Sequence, residues 1–393
     1  MITLNLTNLQ KIAPEHGLSE AELDKKIDKI PRDFYPAIDE TAQIQKINEF
    51  AAKAAAKFEH FVLLGIGGSA LGTSCLQKAL KPDDEKLTIL DNIDPDVISR
   101  LDKKIDYAKT LFLVVSKSGE TTETISQYTY FRAKLEKKSL PPKEHFIFVT
   151  NPEKGFLRET AKKDSIETFD IPQNISGRFS IFTPTALLPA KLIGIDIEKL
   201  IAGAKSIKTR FLSPETKENL PFTLATIRHS LFKKGKTINV LMPYAQALTG
   251  LSDWYRQLLA ESIGKNLSTG ITPVSALGAT DQHSQLQLYN DGPNDKLIVF
   301  IEREKFATDP EIPEKAITFG RLMQIEKSAT EISLTKNNRP NITIKVDSIS
   351  EETLGEMLMM FMGEIAFLGE LFGVNAFDQP GVELAKKLIK ESL

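Results

Sequence analysis

Short apolar runs alternate with helical patterns in the first part of the chain, and this alternation restricts the fold more than any other feature. The predicted strands are Phe61–Leu64, Leu87–Leu90, Leu111–Val115 and Phe146–Val149. Strands that alternate with helices build a parallel sheet with crossover helices on both faces. We therefore predict a doubly wound α/β sheet, in which ligands bind at the carboxyl ends of the strands.

The length of the chain indicates more than one such unit, because 393 residues exceed an ordinary single core. Ser213–Pro214 punctuates the chain after a helical segment, and we place the domain boundary there. The predicted parts are an N-terminal subdomain with a helical extension at 1–212, a second α/β subdomain at 213–375, and a C-terminal helical tail at 376–393.

The second subdomain has the same alternation with longer spacings. Its predicted strands are Ile238–Met242, Leu297–Glu302 and Ile342–Val346, and its predicted helices are approximately Pro221–Phe232, Gln246–Ile263 and Glu352–Leu371. Helices are also predicted within Leu18–Phe58 and over Gly381–Lys390. The charged stretch Glu302–Asn341 predicts an irregular surface excursion.

Charge and cysteine content exclude several classes of protein. Fifty basic and fifty-two acidic residues give a net charge of −2, so no general attraction to nucleic acid or to a membrane surface is expected. The single cysteine, Cys75, excludes an internal disulfide framework and is expected to be buried. The sequence contains no run of about 18 apolar residues, the length that would predict a membrane-spanning helix. We therefore expect a cytoplasmic protein.

Two predicted strands of the first subdomain end in loops suited to a phosphate. Gly65 to Ser69, including Gly68, follows the first strand and leads into a helix. Ser116, Ser118, Thr121, Thr122 and Thr124 surround Lys117 after the third strand. Glycine lets the backbone approach a ligand closely, and N–H groups at a helix N-terminus point at a bound anion. Together the two loops predict a phosphorylated small molecule held between them.

Other interpretations of these loops stay open. Gly65 to Ala70 also fits a dinucleotide fingerprint of the G-x-G-x-x-A kind, with Asp91 as a ribose-binding acid at the end of the next strand. A tight turn without a ligand, and helix capping by the hydroxyls, are the structural alternatives. Capping needs one or two hydroxyls, and a dinucleotide needs none of them at the second loop. We therefore favour a monophosphate over a dinucleotide-dependent dehydrogenase.

Three further residues have the chemistry of a proton-transfer site. Arg178 follows Gly177 in a serine-bracketed turn, where a fixed cation can face a developing oxyanion. Glu261 lies in the last turn of a predicted helix, where the helix dipole disfavours an acid, and is a candidate general base. His283 lies in the polar cluster Asp281–Gln285 at a helix start. A surface salt bridge, a solvated glutamate and a satisfied polar histidine are the respective structural alternatives.

Six blocks of the sequence resemble the glucose-6-phosphate isomerase family and occur in the same order. They are GIGGSALG, SKSGETTET, SGRFS, QLLAESIGK, GATDQHSQLQLYNDGP and FDQPGVELAKK. The resemblance covers nearly the whole chain. In size, the chain is similar to the compact prokaryotic form of the family. It implies two sugar-isomerase-type doubly wound parallel sheets, with a C-terminal helix that returns to the active site. It also implies a glycolytic and gluconeogenic aldose–ketose isomerisation without metal or cofactor.

The resemblance assigns roles position by position. Glu261 matches the general base, Arg178 the arginine beside the enediolate, and His283 with Lys386 the residues that open the sugar ring. The matching phosphate and substrate contacts are Gly68, Ser69, Ser116, Lys117, Ser118, Thr121, Gly177, Gln257 and Gln379. In this family the histidine comes from the partner subunit, so the resemblance implies a homodimer that binds a hexose 6-phosphate.

The spacing of residues in the last block predicts where two of them lie. Lys386 lies seven residues after Gln379, so both are expected on one side of the start of the last helix.

Two alternative functions stay open. A sugar-phosphate sensor without activity would share the phosphate loops but would have no need for the catalytic set. An isomerase that also accepts mannose 6-phosphate is the nearest enzymatic alternative.

Overall fold

The computed structural model describes residues 2–12, 23, 27–30, 34–215 and 218–393. Two compact units account for them: the described part of Met1–Pro31 together with Ala202–Leu393, which we call unit 1, and the described part of Arg32–Ile201, which we call unit 2. The sequence-based boundary at 212/213 therefore lies near this division but does not coincide with it, and the start of the chain groups with the later unit.

The strands of the described residues are β1 (Thr3–Asn5), β2 (His60–Leu64), β3 (Leu87–Leu90), β4 (Thr110–Ser116), β5 (Phe146–Thr150), β6 (Glu167–Asp170), β7 (Ile238–Pro243), β8 (Thr272–Ser275), β9 (Lys296–Arg303), β10 (Glu311–Ile312), β11 (Ile317–Thr318) and β12 (Asn341–Val346). The α-helices are α1 (Thr7–Ile12), α2 (Thr41–Lys57), α3 (Leu71–Leu80), α4 (Pro95–Lys104), α5 (Thr122–Lys137), α6 (Pro142–His145), α7 (Phe156–Asp164), α8 (Pro184–Leu192), α9 (Ile197–Phe211), α10 (Leu220–Lys233), α11 (Thr249–Ile263), α12 (Leu286–Asp291), α13 (Phe319–Lys336), α14 (Glu351–Phe372) and α15 (Glu383–Ser392).

Unit 2 contains a five-stranded parallel sheet with the order β3-β2-β4-β5-β6. Its central strands are continuous apolar runs, and β4 is buried throughout, as expected for a sheet covered on both faces. From β2 the chain continues to β3 on one side, whereas from β4 it continues to β5 on the other. The carboxyl ends of β2 and β4 therefore flank the topological switch point, where doubly wound sheets bind ligands.

Unit 1 contains a second five-stranded sheet, with the order β1-β12-β9-β7-β8. The β12, β9, β7 and β8 strands are parallel, and β1 pairs antiparallel with β12, with Leu4 opposite Ile344. This pairing places the start of the chain in unit 1. A three-residue strand gives no periodic signal, so sequence reasoning assigned the segment to the first subdomain.

The predicted α/β class with two doubly wound sheets is confirmed, and the central strands were found within a residue or two. The edge strands β6 and β8 were missed. In β6 only Phe169 is buried, and β8 contains Pro273, a residue that sheets tolerate at edges. Of the helices predicted within Leu18–Phe58, α2 is confirmed, whereas residues 18–22, 24–26 and 31–33 of this stretch lie outside the described residues.

Two predictions for the second half were wrong. Glu302–Asn341 is not irregular, because it contains the hairpin β10–β11 and the 18-residue helix α13. The buried positions of α13 are mostly glycine, lysine, threonine and glutamate, which left a weak apolar period. The last helix starts at Glu383, so Gln379 precedes it and the two predicted partners do not share a helix start. Within the described residues, no helix has the length and apolar character needed to cross a membrane.

Candidate active site

The loop after β2 is held against the turn that carries Arg178. Gly67–Ser69 forms a short 3-10 helix at the end of the strand, within the switch-point crevice of unit 2. A Cβ atom on Gly68 would lie 2.4 Å from the backbone carbonyl carbon of Gly177. Glycine at this position therefore permits the close backbone approach that brings the two predicted glycine turns together.

Gly68→Ala is expected to destabilise unit 2 by about 1–3 kcal/mol, the usual cost of overpacking. The added methyl group meets backbone atoms, which cannot move aside as a flexible side chain would. Gly177→Ala is the matched control, because a Cβ there meets only Gly68 Cα at 3.9 Å. Thermal unfolding of both variants measures the difference, and equal midpoints would contradict the close approach.

The loop after β4 is ordered by its own hydroxyl groups. The buried Ser116 Oγ lies 2.8 Å from Thr121 Oγ1 and 3.4 Å from Ser118 Oγ, and it accepts a 3.2 Å hydrogen bond from Gly119 N. Gly119 has φ +69°, a conformation that favours glycine. Thr121 stands at the N-cap of α5, yet its side chain makes no capping bond. The hydroxyl cluster therefore shapes the loop rather than capping the helix.

A residue that sequence reasoning missed completes this loop. Thr150 Oγ1, at the carboxyl end of β5, donates a 2.7 Å hydrogen bond to the carbonyl oxygen of Ser116. Its signal in the sequence is its position directly after a predicted apolar strand. Thr150 fixes the backbone of Ser116 from the neighbouring strand.

The positive charges of Lys117 and Arg178, both in unit 2, are close enough to repel each other. Arg178 is 2% exposed and begins the 3-10 helix Gly177–Phe182. Burial, and to a smaller extent the charge of Arg178, lower the pKa of the Lys117 side chain. No hydrogen bond or ion pair joins the Lys117 ammonium to another described residue. Two neighbouring cations with an unpaired ammonium form an environment that an anion would stabilise.

Local hydrogen bonds order the chain around Arg178. Thr183 caps α8 by accepting a hydrogen bond from Thr185 N, and Pro184 occupies the first helical position, which suits proline. Ser180 Oγ donates a 2.7 Å hydrogen bond to Gly177 O. This bond closes the turn on which the guanidinium is carried.

In unit 1, Glu261 lies in the last turn of α11, as predicted. The helix ends at Ile263, with Gly264 as its C-cap. Gln257, one turn earlier, donates a 2.9 Å hydrogen bond from Nε2 to Glu261 Oε1. Both side chains are half-buried. The Gln257 Oε1 atom is buried without a hydrogen-bond partner in the described residues, so the amide is oriented by Glu261.

His283 is presented to solvent by a tightly ordered loop. Asp281 accepts hydrogen bonds from Leu277 N at 2.7 Å and from Ser284 Oγ at 2.6 Å. Partial burial raises the pKa of Asp281, but these hydrogen bonds outweigh it and the net shift is downward. The His283 ring is exposed and has no hydrogen bond to the residues that the structure describes. The predicted helix start lies slightly later, at Leu286.

The last two predicted residues lie in the C-terminal part of unit 1. Gln379 is half-buried and precedes the 3-10 helix Pro380–Val382. Lys386 lies on α15, is exposed, and forms a 2.7 Å ion pair with Glu383. No residue of α15 is buried.

The predicted set thus divides between the units. Unit 2 brings one group together at the ends of β2 and β4: Gly68, Ser69, Ser116, Lys117, Ser118, Thr121, Gly177 and Arg178. Unit 1 carries Gln257, Glu261, His283, Gln379 and Lys386, of which Gln257 and Glu261 are in direct contact. Unit 2 alone provides hydroxyl, amide and cationic groups for an anion, and unit 1 provides a carboxylate.

Comparison with known proteins gives a consistent result. The phosphoglucose isomerase family model matches residues 33–302 and 313–393. A glucose-6-phosphate isomerase of Carboxydothermus hydrogenoformans is 43% identical over 375 residues, which cover 88% of this chain and 81% of that protein.

Solved structures extend this result to the fold. A hypothetical protein of Thermus thermophilus superposes with a TM-score of 0.93 at 32% identity, covering 100% of this chain and 99% of that one. A glucose-6-phosphate isomerase of Chlamydia trachomatis superposes with a TM-score of 0.82 at 26% identity, covering 90% and 73%. Because the family model spans nearly all of the described sheets and their loops, this chain belongs to the phosphoglucose isomerase family.

Proposed function

We propose that this protein interconverts glucose 6-phosphate and fructose 6-phosphate by moving a proton between C1 and C2 through a cis-enediolate. Membership of the family supports this reaction. The observation that carries it is the group of hydroxyls, glycines and two cations at the switch point of unit 2. This chemistry suits a dianionic phosphate at one end of a sugar. A cytoplasmic location belongs to the same proposal.

The phosphate is anchored by the segment from Ser116 to Thr121. The Ser118 side chain is exposed and that of Thr121 half-exposed, so both hydroxyls can donate to phosphate oxygens. The N-terminus of the 16-residue helix α5 follows directly and adds N–H donors and a positive dipole end. Lys117 supplies the opposite charge. Binding energy at the phosphate then orients the distant reacting carbons.

Glu261 acts as the general base. It removes the proton from C2 of the open-chain aldose and returns it to C1, with the reverse path for the ketose. The amide of Gln257 holds the carboxylate in one orientation through the 2.9 Å hydrogen bond. Arg178, whose guanidinium is always charged, stabilises the negative oxygen of the enediolate.

Ring opening precedes proton transfer, because the hexose is mostly cyclic in solution. His283 and Lys386 move protons on and off the ring oxygen and the anomeric hydroxyl. Neither role needs a metal or a cofactor. The coupled conversion of fructose 6-phosphate to glucose 6-phosphate tests the whole proposal, with chelator present throughout. Turnover that survives the chelator supports it, whereas turnover that appears only when metal is added in excess of the chelator, or no turnover at all, would contradict it.

The exposure of His283 supports a homodimer in which the partner subunit receives this side chain. Leu288 on α12 is 51% exposed, and Ile325 and Ile332 on α13 are 42% and 53% exposed. Ile325 and Ile332 lie seven residues apart, on one side of α13. Asn290 of α12 donates a 3.0 Å hydrogen bond to Ser333 of α13, so the two helices are in contact, and α12 begins three residues after His283. A second copy of the chain would cover this apolar surface.

Mixed dimers test the shared site directly. Chains with Glu261→Gln and chains with His283→Ala, carrying different tags, are co-expressed, and only dimers with both tags are purified. If histidine is supplied across the interface, one of the two sites keeps both residues, and about half of wild-type activity is expected. If both residues act within one chain, every site lacks one of them and the mixed dimer is inactive.

A further inference from the structure

The segment that leads to Gln379 and α15 is fixed to unit 1 in two places. At the first, Gly373 ends α14 with φ +66°, and Val374 N donates a 2.9 Å hydrogen bond back to Gly369 O. Ala376 is 2% exposed, and a Cβ on Gly369 would lie 2.8 Å from its side chain. The chain therefore folds back tightly against the end of α14.

The second place joins this segment to the end of α11. Lys265 Nζ donates a 3.0 Å hydrogen bond to the carboxylate of Asp378, and also donates to the backbone carbonyl of the same residue. The Lys265 side chain is only 8% exposed. The other carboxylate oxygen of Asp378 accepts a 3.0 Å hydrogen bond from Asn375 Nδ2. Lys265 therefore binds both the backbone and the side chain of Asp378.

The contact between Lys265 and Asp378 connects the end of α11, which carries Glu261, to the segment that carries Gln379 and Lys386. Lys265 lies four residues after Glu261, just beyond the end of α11. Asp378 directly precedes Gln379 and lies eight residues before Lys386. Because no residue of α15 is buried, packing does not set the distance of this helix from Glu261. Its position therefore depends on how the preceding segment is attached, at the end of α14 and at the Lys265–Asp378 contact.

We propose that Lys265 and Asp378 are positioning residues, which hold Gln379 and Lys386 at a fixed distance from the general base. This inference rests on the proposed function. The Asp378 side chain is half-exposed, so the pair contributes geometry more than net stability. Lys265 acts through the segment and has no contact with the reacting atoms in this account.

Unit 1 provides a closely matched control. Lys296 is also nearly buried, with 9% of its side chain exposed, and it also donates to a backbone carbonyl, that of Pro293, and to a carboxylate, that of Asp295. It lies at the amino end of β9, opposite the ligand-binding edge of the sheet. Lys296→Met therefore removes two hydrogen bonds of the same kinds as those of Lys265, but it leaves the C-terminal segment unchanged.

The test compares kcat/KM for fructose 6-phosphate in Lys265→Met, Asp378→Asn, the double variant and Lys296→Met, with thermal midpoints measured in parallel. We expect Lys265→Met to lower kcat/KM about tenfold, and Asp378→Asn to lower it less, because the backbone carbonyl and the amide oxygen at position 378 can still accept from Lys265. The double variant should lose no more activity than Lys265→Met alone, because that change already removes both bonds from Lys265 to Asp378. Lys265→Arg, which keeps the charge and several donors, should recover most of the activity.

Lys296→Met is expected to keep kcat/KM within about twofold of the unaltered protein, whatever its midpoint. Equal kcat/KM in Lys265→Met and Lys296→Met, or multiplicative losses in the double variant, would overturn the inference while leaving the isomerase intact. Asp378→Asn keeps the test valid if Lys265→Met does not fold, because Asp378 is exposed. Absence of isomerisation by the unaltered protein would overturn the proposed function instead.

Discussion

Replacing Glu261 by glutamine is expected to lower kcat by about 10²–10⁴-fold, the usual contribution of a general base. The amide is nearly the same size as the carboxylate and lies at a half-buried helix end, so folding should be unaffected. It can still pair with Gln257, but it cannot accept a proton from carbon. KM should change little, because the phosphate contacts lie elsewhere in the chain. Steady-state kinetics of the forward and reverse reactions measure this.

Asp253→Asn is the matched control, since Asp253 lies on the same helix, two turns before Glu261. It is expected to keep kcat within about twofold, because its partner is the neighbouring Arg256 at 3.5 Å and not the substrate. Near-normal turnover in Glu261→Gln would remove this residue from the mechanism. An equal loss in both variants would point to a general requirement for charge on α11.

Lys117→Met is expected to have opposite effects on the free protein and on the complex. Without ligand, burial and Arg178 disfavour the charged ammonium, so its removal should raise the thermal midpoint. With ligand, the phosphate loses one charged donor, and KM for fructose 6-phosphate should rise about 10- to 100-fold. The ligand-induced rise in midpoint should fall in parallel. Lys109→Met, which alters an exposed pair with Glu59, should change neither quantity.

The same residue predicts a pH dependence for the free protein. The pKa of Lys117 in the folded state lies below the ordinary value of 10.5, so the unfolded chain binds more protons between those two values. The free energy of unfolding therefore increases, and the folded protein becomes more stable, as pH rises through that interval. The stability difference between Lys117→Met and the unaltered protein should shrink over the same interval. A difference that grows with pH would contradict the assignment.

The positions of the loops after β2 and β4 were predictable because the signals that mark them are local. Each loop directly follows an apolar strand, and the carboxyl ends of parallel strands meet at one edge of a sheet. The central strands and α11 were predictable for the same reason, since their apolar periods are long and uninterrupted. Ser116, Ser118 and Thr121 needed no knowledge of distant contacts.

Contacts between distant parts of the sequence were not predictable. Nothing near Gly68 indicates that its backbone lies against Gly177, more than a hundred residues later. The pairing of β1 with β12 joins residues about 340 positions apart through a strand of three residues. Such contacts depend on the assembled sheets rather than on local composition.

The start of α15 shows a different limit. Pro380 and Gly381 produce a short 3-10 turn, and the regular helix begins only at Glu383. The contact between Lys265 and Asp378 could not be predicted either, because the two residues lie 113 positions apart in the sequence.

The most direct test of the central claim is a crystal structure of the Glu261→Gln variant with fructose 6-phosphate bound. The account predicts phosphate oxygens within hydrogen-bond distance of Ser118 and Thr121, and carbons C1 and C2 beside the side chain at position 261. A phosphate bound away from the segment between Ser116 and Thr121, in a crystal with full ligand occupancy, would contradict it.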